Sequence, residues 1–276
     1  MTQPSVLDFM EPEESLEVRL QDALDLLQSL DEHSVPLVVT DPPYGISYQS
    51  NHRKGAKSAP IAQDWNFQIG PFLDEVSRVL KPEGSAYIFT RWDVYPLWAR
   101  SVPPTLHLKN LIVWDKGNHS AGDLTGNFGF RWEAIMFLVP AEGRHTLRGT
   151  RWPNLWTFPR VSSAQQIHPA EKPVGLLQRI INSSTDPGDL VVDPFCGSGS
   201  TGEAALMSGR KALLGDIDKR VLVKTLERLR LPMDESLREP PRVERDADLS
   251  ICMEALRGVH PEDVATMLEW WQEQKG

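Results

Sequence analysis

The sequence predicts an α/β domain built on a doubly wound, mostly parallel sheet. Two kinds of segment carry this reading: short β-branched apolar runs that do not alternate, such as Val35 to Val39, and amphipathic stretches of helical period that separate them. A strand that is apolar on both faces must be covered on both, and strands alternating with helices join in parallel. Gly, Pro and Asp at the joins mark where one element stops and the next begins.

Taken in order, Leu16 to Leu20 alternates with period two and reads as a strand, and Asp22 stands at the N-cap of a helix over Ala23 to Leu27. The buried strand at 35 to 39 follows, then a polar loop over 45 to 66 that carries Arg53, Lys54 and Lys57. Phe72 to Leu80 reads as a helix, Lys81-Pro82-Glu83-Gly84 as a turn and Ser85 to Thr90 as a strand. Further strands are expected at Leu108 to Trp114 and Glu133 to Val139, after which 140 to 170 loses periodicity and gains Arg and Trp. Alternation resumes with a helix from Pro173 to Ile181, a strand at Leu190 to Asp193 and a glycine-rich turn. A helix from Thr201 to Ser208, a strand from Lys211 to Gly215 and a helix from Lys219 to Leu229 complete the series. The expected organisation is an acidic segment at 1–15, a domain over 16–230 with an insertion at about 140–170, a linker at 231–247 rich in Pro, Glu and Arg, and a tail at 248–276. The tail reads as two short amphipathic helices divided by Pro261, with an apolar face that would pack on the domain or make a homodimer contact.

With 276 residues and 40% hydrophobic content the chain can bury a full core. No apolar run approaches the roughly 20 residues of a membrane span, and the acidic start is unlike a secretion signal, so a cytoplasmic protein without a membrane partner is expected. Cys196 and Cys252 stand far apart, with no Cys or His at ligand spacing, so neither a disulfide framework nor a metal site is expected. The net charge of -9 disfavours a polyanion at first sight, but its placement matters more: residues 1–40 carry net -8, residues 231–276 net -6, and the centre, 41–230, net +5. A mildly basic centre between acidic ends permits a nucleic-acid partner without demanding one.

Two stretches carry chemistry. In Asp41-Pro42-Pro43-Tyr44 a carboxylate, two prolines and a tyrosine end a buried strand. In Val191-Val192-Asp193-Pro194-Phe195-Cys196-Gly197-Ser198-Gly199-Ser200-Thr201 a strand feeds a turn whose glycines admit a ligand close to the backbone, and Ser200 or Thr201 can cap the helix that follows. Asp216 comes directly after the strand ending in Gly215, placed to accept hydrogen bonds from ribose hydroxyls. No Gly-Lys-Ser/Thr phosphate loop is present. Both stretches lie at carboxyl ends of strands, where open α/β sheets bind ligands, so one crevice could hold both.

Together these stretches resemble the amino-group DNA methyltransferases that depend on S-adenosylmethionine, in the permuted order of their β group, with the tetrapeptide first and the glycine turn late. Gln21-Asp22-Ala23-Leu24, Arg78 to Gly84, Trp114-Asp115-Lys116-Gly117, the acid of Arg131-Trp132-Glu133 and His168 to Pro173 fall in the family's order, so the resemblance spans roughly 16 to 230. Gln21 stands where the family often has Gly. The resemblance implies the Rossmann-like methyltransferase sheet, with target recognition in the insertion and double-stranded DNA as partner. It places Asp193 and the turn of Phe195, Gly197, Ser198 and Gly199 around the methionine and ribose of the cofactor. Asp216 would hold the ribose hydroxyls, Asp22 would lie near the adenine, and Lys172 would belong to a segment closing over the methionine end.

An exocyclic amine of a base is a poor nucleophile because its lone pair is delocalised into the ring. Acceptors on its two N–H bonds favour a pyramidal nitrogen, and the Asp41 carboxylate with the Pro42 carbonyl would supply them, since proline offers no competing N–H. Pro42 and Pro43 stiffen that corner, Tyr44 would stack on the base, and the nucleotide must be flipped out of the duplex. Arg53, Lys54, Lys57, Arg148, Arg151 and Arg160 are the expected DNA-binding residues, interleaved in the insertion with Trp152, Trp156 and Phe158. Asp41 points to N6 of adenine as the target. N4 of cytosine uses the same chemistry on the same fold, and a non-catalytic DNA-binding module would be expected to have lost Asp41, Tyr44 or the glycines. A companion restriction endonuclease belongs to the same reading.

Overall fold

The run Val35–Thr40 forms the central strand β2, and all six of its residues are buried. Leu37 and Val39 point into one apolar layer while Val35 and Val38 point into the other, as a strand covered on both faces requires. The computed structural model describes residues 15–44, 67–119, 126–161 and 171–233, all within a compact unit over Met1–Met233. Residues 234–276 make a second unit outside the described residues, so the expected helical tail and most of the linker lie there.

Eight strands make one sheet: β1 (Leu16–Leu20), β2, β3 (Leu80–Thr90), β4 (Leu106–Asp115), β5 (Trp132–Pro140), β6 (Leu155–Thr157), β7 (Leu190–Asp193) and β8 (Lys211–Asp216). Their spatial order is β1-β8-β7-β2-β3-β5-β4-β6. Pairing is parallel from β1 to β3 and between β4 and β6; only β5 runs the other way among the described strands. One face is covered by α1 (Ala23–Gln28), α2 (Ile69–Val79) and α3 (Tyr95–Arg100). The other is covered by α4 (Val174–Ser184), α5 (Ser200–Met207) and α6 (Lys219–Leu229). Each long helix buries an i, i+3, i+4 stripe, as α2 does with Phe72, Leu73, Val76 and Val79 and α4 does with Leu176, Leu177, Ile180 and Ile181. The doubly wound, mostly parallel sheet is as expected. No helix among the described residues is long and apolar enough to cross a membrane.

The structure corrects three local expectations. Helix α2 stops at Val79, one residue early, because Leu80 is extended, pairs with Val35 and receives a hydrogen bond from the His33 ring at 2.9 Å. Lys81-Pro82-Glu83-Gly84 does not separate two elements; it is a bulge inside β3. Between the pairs Val35↔Leu80 and Leu37↔Ser85, Pro36 alone faces these four residues. Pro36 has no N–H to give the ladder, so the neighbouring strand can loop away there without orphaning a donor. The six-residue helix α3 was not foreseen; its short stretch is anchored by Trp98, which is fully buried.

Gly84 closes the bulge against the backbone. A Cβ there would lie 2.9 Å from the Pro36 carbonyl oxygen and 3.0 Å from that of Val35. Because backbone has to give way rather than a flexible side chain, Gly84→Ala is expected to destabilise the fold by about 1–3 kcal/mol, read as a lower urea midpoint.

Candidate active site

Parallel strands end at the same edge. The ends of β1, β8, β7 and β2 therefore deliver Asp22, Asp216, Asp193 and Asp41 to one side of the sheet, and the reversed β5 starts there with Glu133. The tetrapeptide and the glycine turn follow neighbouring strands, β2 and β7, paired Leu37↔Val191 and Val38↔Val192. The two stretches thus lie side by side at one edge of the sheet.

A buried carboxylate joins the two. Asp193, 4% exposed, accepts from the Thr40 hydroxyl at 2.8 Å, the Thr201 hydroxyl at 2.6 Å and the Phe195 N–H at 3.2 Å. Thr40 immediately precedes Asp41, so one side chain fastens the tetrapeptide to the turn. Burial pushes the Asp193 carboxyl up to about 6, against the pull of these three donors. Thr201 therefore serves Asp193 and does not cap α5. The cap position is Gly199, in the left-handed region at φ 75 with no side-chain cap, which corrects the expectation that Ser200 or Thr201 fills it.

The turn is fixed from three further sides. Gly197 N–H donates to Asp216 at 3.2 Å, Cys196 N–H donates to the Gly215 carbonyl at 2.9 Å, and the Thr225 hydroxyl of α6 donates to the Gly197 carbonyl at 2.6 Å. Asp216 also accepts from Asp218 N–H at 2.8 Å, and burial raises its pKa. Asp22 caps α1 through Leu24 N–H at 2.8 Å, beside β8, where Gln21 N–H donates to the Asp216 carbonyl at 3.1 Å. Phe195 turns its ring toward Phe67 and Phe72, with centroids 5.4 and 5.6 Å away. Burial lifts the Cys196 thiol well above its ordinary pKa, which suits a packing residue.

The tetrapeptide carboxylate is held by both oxygens. Tyr44 donates its hydroxyl to Asp41 at 2.7 Å, and Lys172 bonds the other oxygen while lying 3.4 Å from Glu133. Lys116 pairs with Glu133, and the Lys172 ammonium sits 5.0 Å from the Phe89 ring centre. Burial works against the Lys172 cation, but Asp41 and Glu133 outweigh it and hold its pKa above the lysine value. Desolvation works against the half-buried Glu133 carboxylate too, yet Lys172 and Lys116 hold it below the usual carboxylate range. Burial, reinforced by Asp41 and Glu133, raises Tyr44 well above its ordinary value, so the phenol stays a donor. Lys172 is thus brought directly against Asp41, and its segment is tied to the turn by Arg228 of α6. That guanidinium bonds Glu171 at 2.7 Å, Glu203 at 2.6 Å and the Ser198 carbonyl at 3.4 Å.

Reading residues in sequence assigned no role to Thr40, Glu203 or Arg228, none to Lys116 or Glu171 beyond their places in motifs, and to Thr201 only that of a helix cap. Arg148 is taken up by the fold: it pairs with Asp186 at 3.0 Å and donates to the Ser184 carbonyl at 2.8 Å. Arg151 and Arg160 are exposed, whereas Arg53, Lys54 and Lys57 lie outside the described residues.

The charge of the crevice limits what it can hold. Asp22, Asp193 and Asp216 ring the turn, and the Arg228 cation beside it is already paired with two carboxylates. Such a pocket repels a nucleotide phosphate and suits hydroxyl donors and a cation, which fits the ribose and sulfonium of S-adenosylmethionine. The Asp193 carboxyl supplies a stability test. Its folded pKa of about 6 exceeds the unfolded value, so its contribution is complete below pH of about 4 and is lost as pH rises to about 6. Urea titrations should show Asp193→Asn flattening this fall, which amounts to about 3 kcal/mol.

The profile of the N6/N4 DNA methylase family matches residues 35–226. The DNA adenine methyltransferase YhdJ of Escherichia coli (strain K12) is 30% identical over 256 residues, covering 81% of this chain and 86% of that protein. Among solved structures, the M1.HpyAVI complex with S-adenosylmethionine superposes with TM-score 0.58 at 20% identity, over 77% of this chain and 99% of that one. The cytosine-N4-specific PvuII DNA methyltransferase superposes with TM-score 0.61 at 19% identity, over 88% and 93%. These two likenesses bear on the fold alone. A match that takes in the tetrapeptide, the glycine turn and most of the sheet between and around them leaves one conclusion: the chain belongs to the N6/N4 DNA methylase family.

Proposed function

We propose that this DNA methyltransferase acts on the N6 amine of an adenine flipped from double-stranded DNA, with S-adenosylmethionine as methyl donor. The observation that carries the proposal is the bond from Thr40 to Asp193, which ties the residue before Asp41 to the carboxylate that anchors the glycine turn. Asp41 takes one amine N–H and the Pro42 carbonyl the other, returning the nitrogen lone pair from the ring. As the nitrogen gains positive charge, the fixed Asp41 carboxylate stabilises it without reorganising. Lys172, Glu133 and Lys116 set the direction of that carboxylate, and Tyr44 holds its second oxygen. Asp216 and Asp22 hold the adenosine of the donor, with Phe195, Gly197, Ser198 and Gly199 shaping the turn. The donor supplies a methyl group on a positively charged sulfur.

The name of the YhdJ relative and the acid at position 41 favour adenine. N4 of cytosine is the second reading, since the same acceptor pair suits that amine and the PvuII enzyme shares the fold. Exposed Arg151 and Arg160 join Arg53, Lys54 and Lys57 as contacts for the duplex backbone. A cytoplasmic setting follows from that substrate. A companion restriction endonuclease and a second copy of the chain, docked through the tail, complete the proposed partners.

Tritium transfer from labelled S-adenosylmethionine to duplexes lacking either adenine or cytosine checks the base: label should enter only the adenine-containing set. Asp41→Ala should abolish transfer with cofactor affinity nearly unchanged in calorimetry; equal loss of both would make its role structural. Lys172→Gln is expected to lower kcat by roughly 10²-fold through a misplaced carboxylate, again with little change in cofactor affinity. A parallel fall in that affinity would move Lys172 to the cofactor side.

A further inference from the structure

The flank of α4 carries a depression of about 380 Å³ of mixed polar and apolar lining, formed among others by Arg148, Thr150, Trp152, Gln178, Arg179 and Asn182. Arg179 occupies an aromatic box. Its guanidinium carbon lies 4.3 Å from the Trp152 ring centre, 4.5 Å from that of Phe158 and 5.6 Å from that of Trp156. The rings offer their negative faces but no formal counter-charge and no acceptor for five N–H donors. Among the described residues Arg179 makes no hydrogen bond and no ion pair. Burial lowers its pKa, so the cation is held where water shields it less.

The second guanidinium of this wall is already neutralised, since Arg148 pairs with Asp186 at 3.0 Å. The depression therefore presents one uncompensated positive charge, flanked by the amides of Gln178 and Asn182 and the hydroxyl of Thr150. That set matches a singly charged oxyanion with two exposed oxygens, which a guanidinium can grip by two parallel bonds. A phosphodiester has that charge and shape. The position agrees as well. Helix α4 begins at Val174, two residues after the Lys172 that bonds Asp41, and Arg179 is five residues farther, roughly 8 Å of helical rise. Phosphates along one strand recur about every 3.4 Å of axis, so the seat falls a few base steps from the reacting amine. Exposed Arg151 and Trp152 stand on the same stretch of chain.

We propose that the α4 depression seats a backbone phosphodiester of the DNA, gripped by Arg179 a few base steps from the flipped nucleotide. The aromatic box presets the guanidinium plane, and the amides complete the shell around the two free oxygens. This rests on DNA as the substrate and is indifferent to which base is methylated. A contact of this kind positions the duplex and reads no sequence.

The test is the salt dependence of binding, measured by fluorescence anisotropy of a labelled 24-base-pair duplex with the full chain. Arg179→Gln should weaken binding about tenfold near 50 mM salt and reduce the slope of log affinity against log salt by about 1. Arg179→Lys should keep the wild-type slope, and cofactor affinity should hold in both. Asn182→Asp places a carboxylate beside the guanidinium without emptying the box, so it should reproduce the smaller slope even if Arg179→Gln folds poorly. Unchanged slopes in Asn182→Asp and in folded Arg179→Gln, with the wild type binding duplex, would overturn the phosphate seat alone. A wild-type chain that binds no duplex at any salt would overturn the substrate reading and this proposal together.

Discussion

The site depends on a single buried carboxylate with three donors. Asp193 closes β7, and its oxygens take hydrogen bonds from Thr40 on β2, from Thr201 at the head of α5 and from the backbone of its own turn. Without the Thr40 bond, the acceptor corner and the glycine turn would be held together only by the pairing of β2 with β7 and, less directly, by the Lys172 segment that Arg228 ties to the turn. Reaction between two bound groups is sensitive to such separations at the level of about an ångström. A hydrogen bond across two paired strands is a stiff way to set one. It also explains why an acid tolerates full burial here, since each lone pair direction that matters is answered by a donor.

Charge is arranged in alternation around the tetrapeptide. Reading from the crevice inward, Asp41, Lys172, Glu133 and Lys116 alternate in sign, packed against Phe89 and Trp114. Each group offsets the desolvation of the next, which is how the buried Lys172 persists beside the half-buried Glu133 and Lys116. The chain of pairs transmits position rather than protons at its centre, because Asp41 and Glu133 keep the Lys172 ammonium charged while Lys172 and Lys116 keep Glu133 a carboxylate. On the cofactor side Asp22, Asp193 and Asp216 surround the turn and the Arg228 cation is paired with two carboxylates, and that asymmetry separates a pocket for a cation from the phosphate pockets common to nucleotide-binding sheets. Positive charge lies elsewhere, on exposed Arg151 and Arg160 and in the aromatic box of Arg179.

Much of this was legible in the chain. The non-alternating run 35–39, the amphipathic helices and the Gly-rich turn each reflect a local rule, so the α/β layering, seven of the eight strands and both chemical stretches could be read in order. The misreadings share a cause. Lys81 to Gly84 looks like a turn because its residues are turn formers, and only the pairing partner reveals a bulge, since the missing N–H belongs to Pro36 on another strand. Thr201 looks like a cap because it follows a glycine turn, and only the fold brings it to Asp193. The short strand β6 and helix α3 are held by neighbours, through Trp156 and Trp98, and carry no periodic signal of their own.

The sequence by itself determined the type of sheet, the acceptor corner, the glycine turn and the acids at strand ends, because each is written in residues adjacent along the chain and governed by local stereochemistry. Tertiary structure alone decided which charges meet: Lys172 with Asp41, Arg228 with Glu171 and Glu203, Thr40 with Asp193, Arg179 with Trp152 and Phe158. Those partners lie 21 to 153 positions apart in sequence, and their pairing follows from strand order and register, which no local pattern encodes.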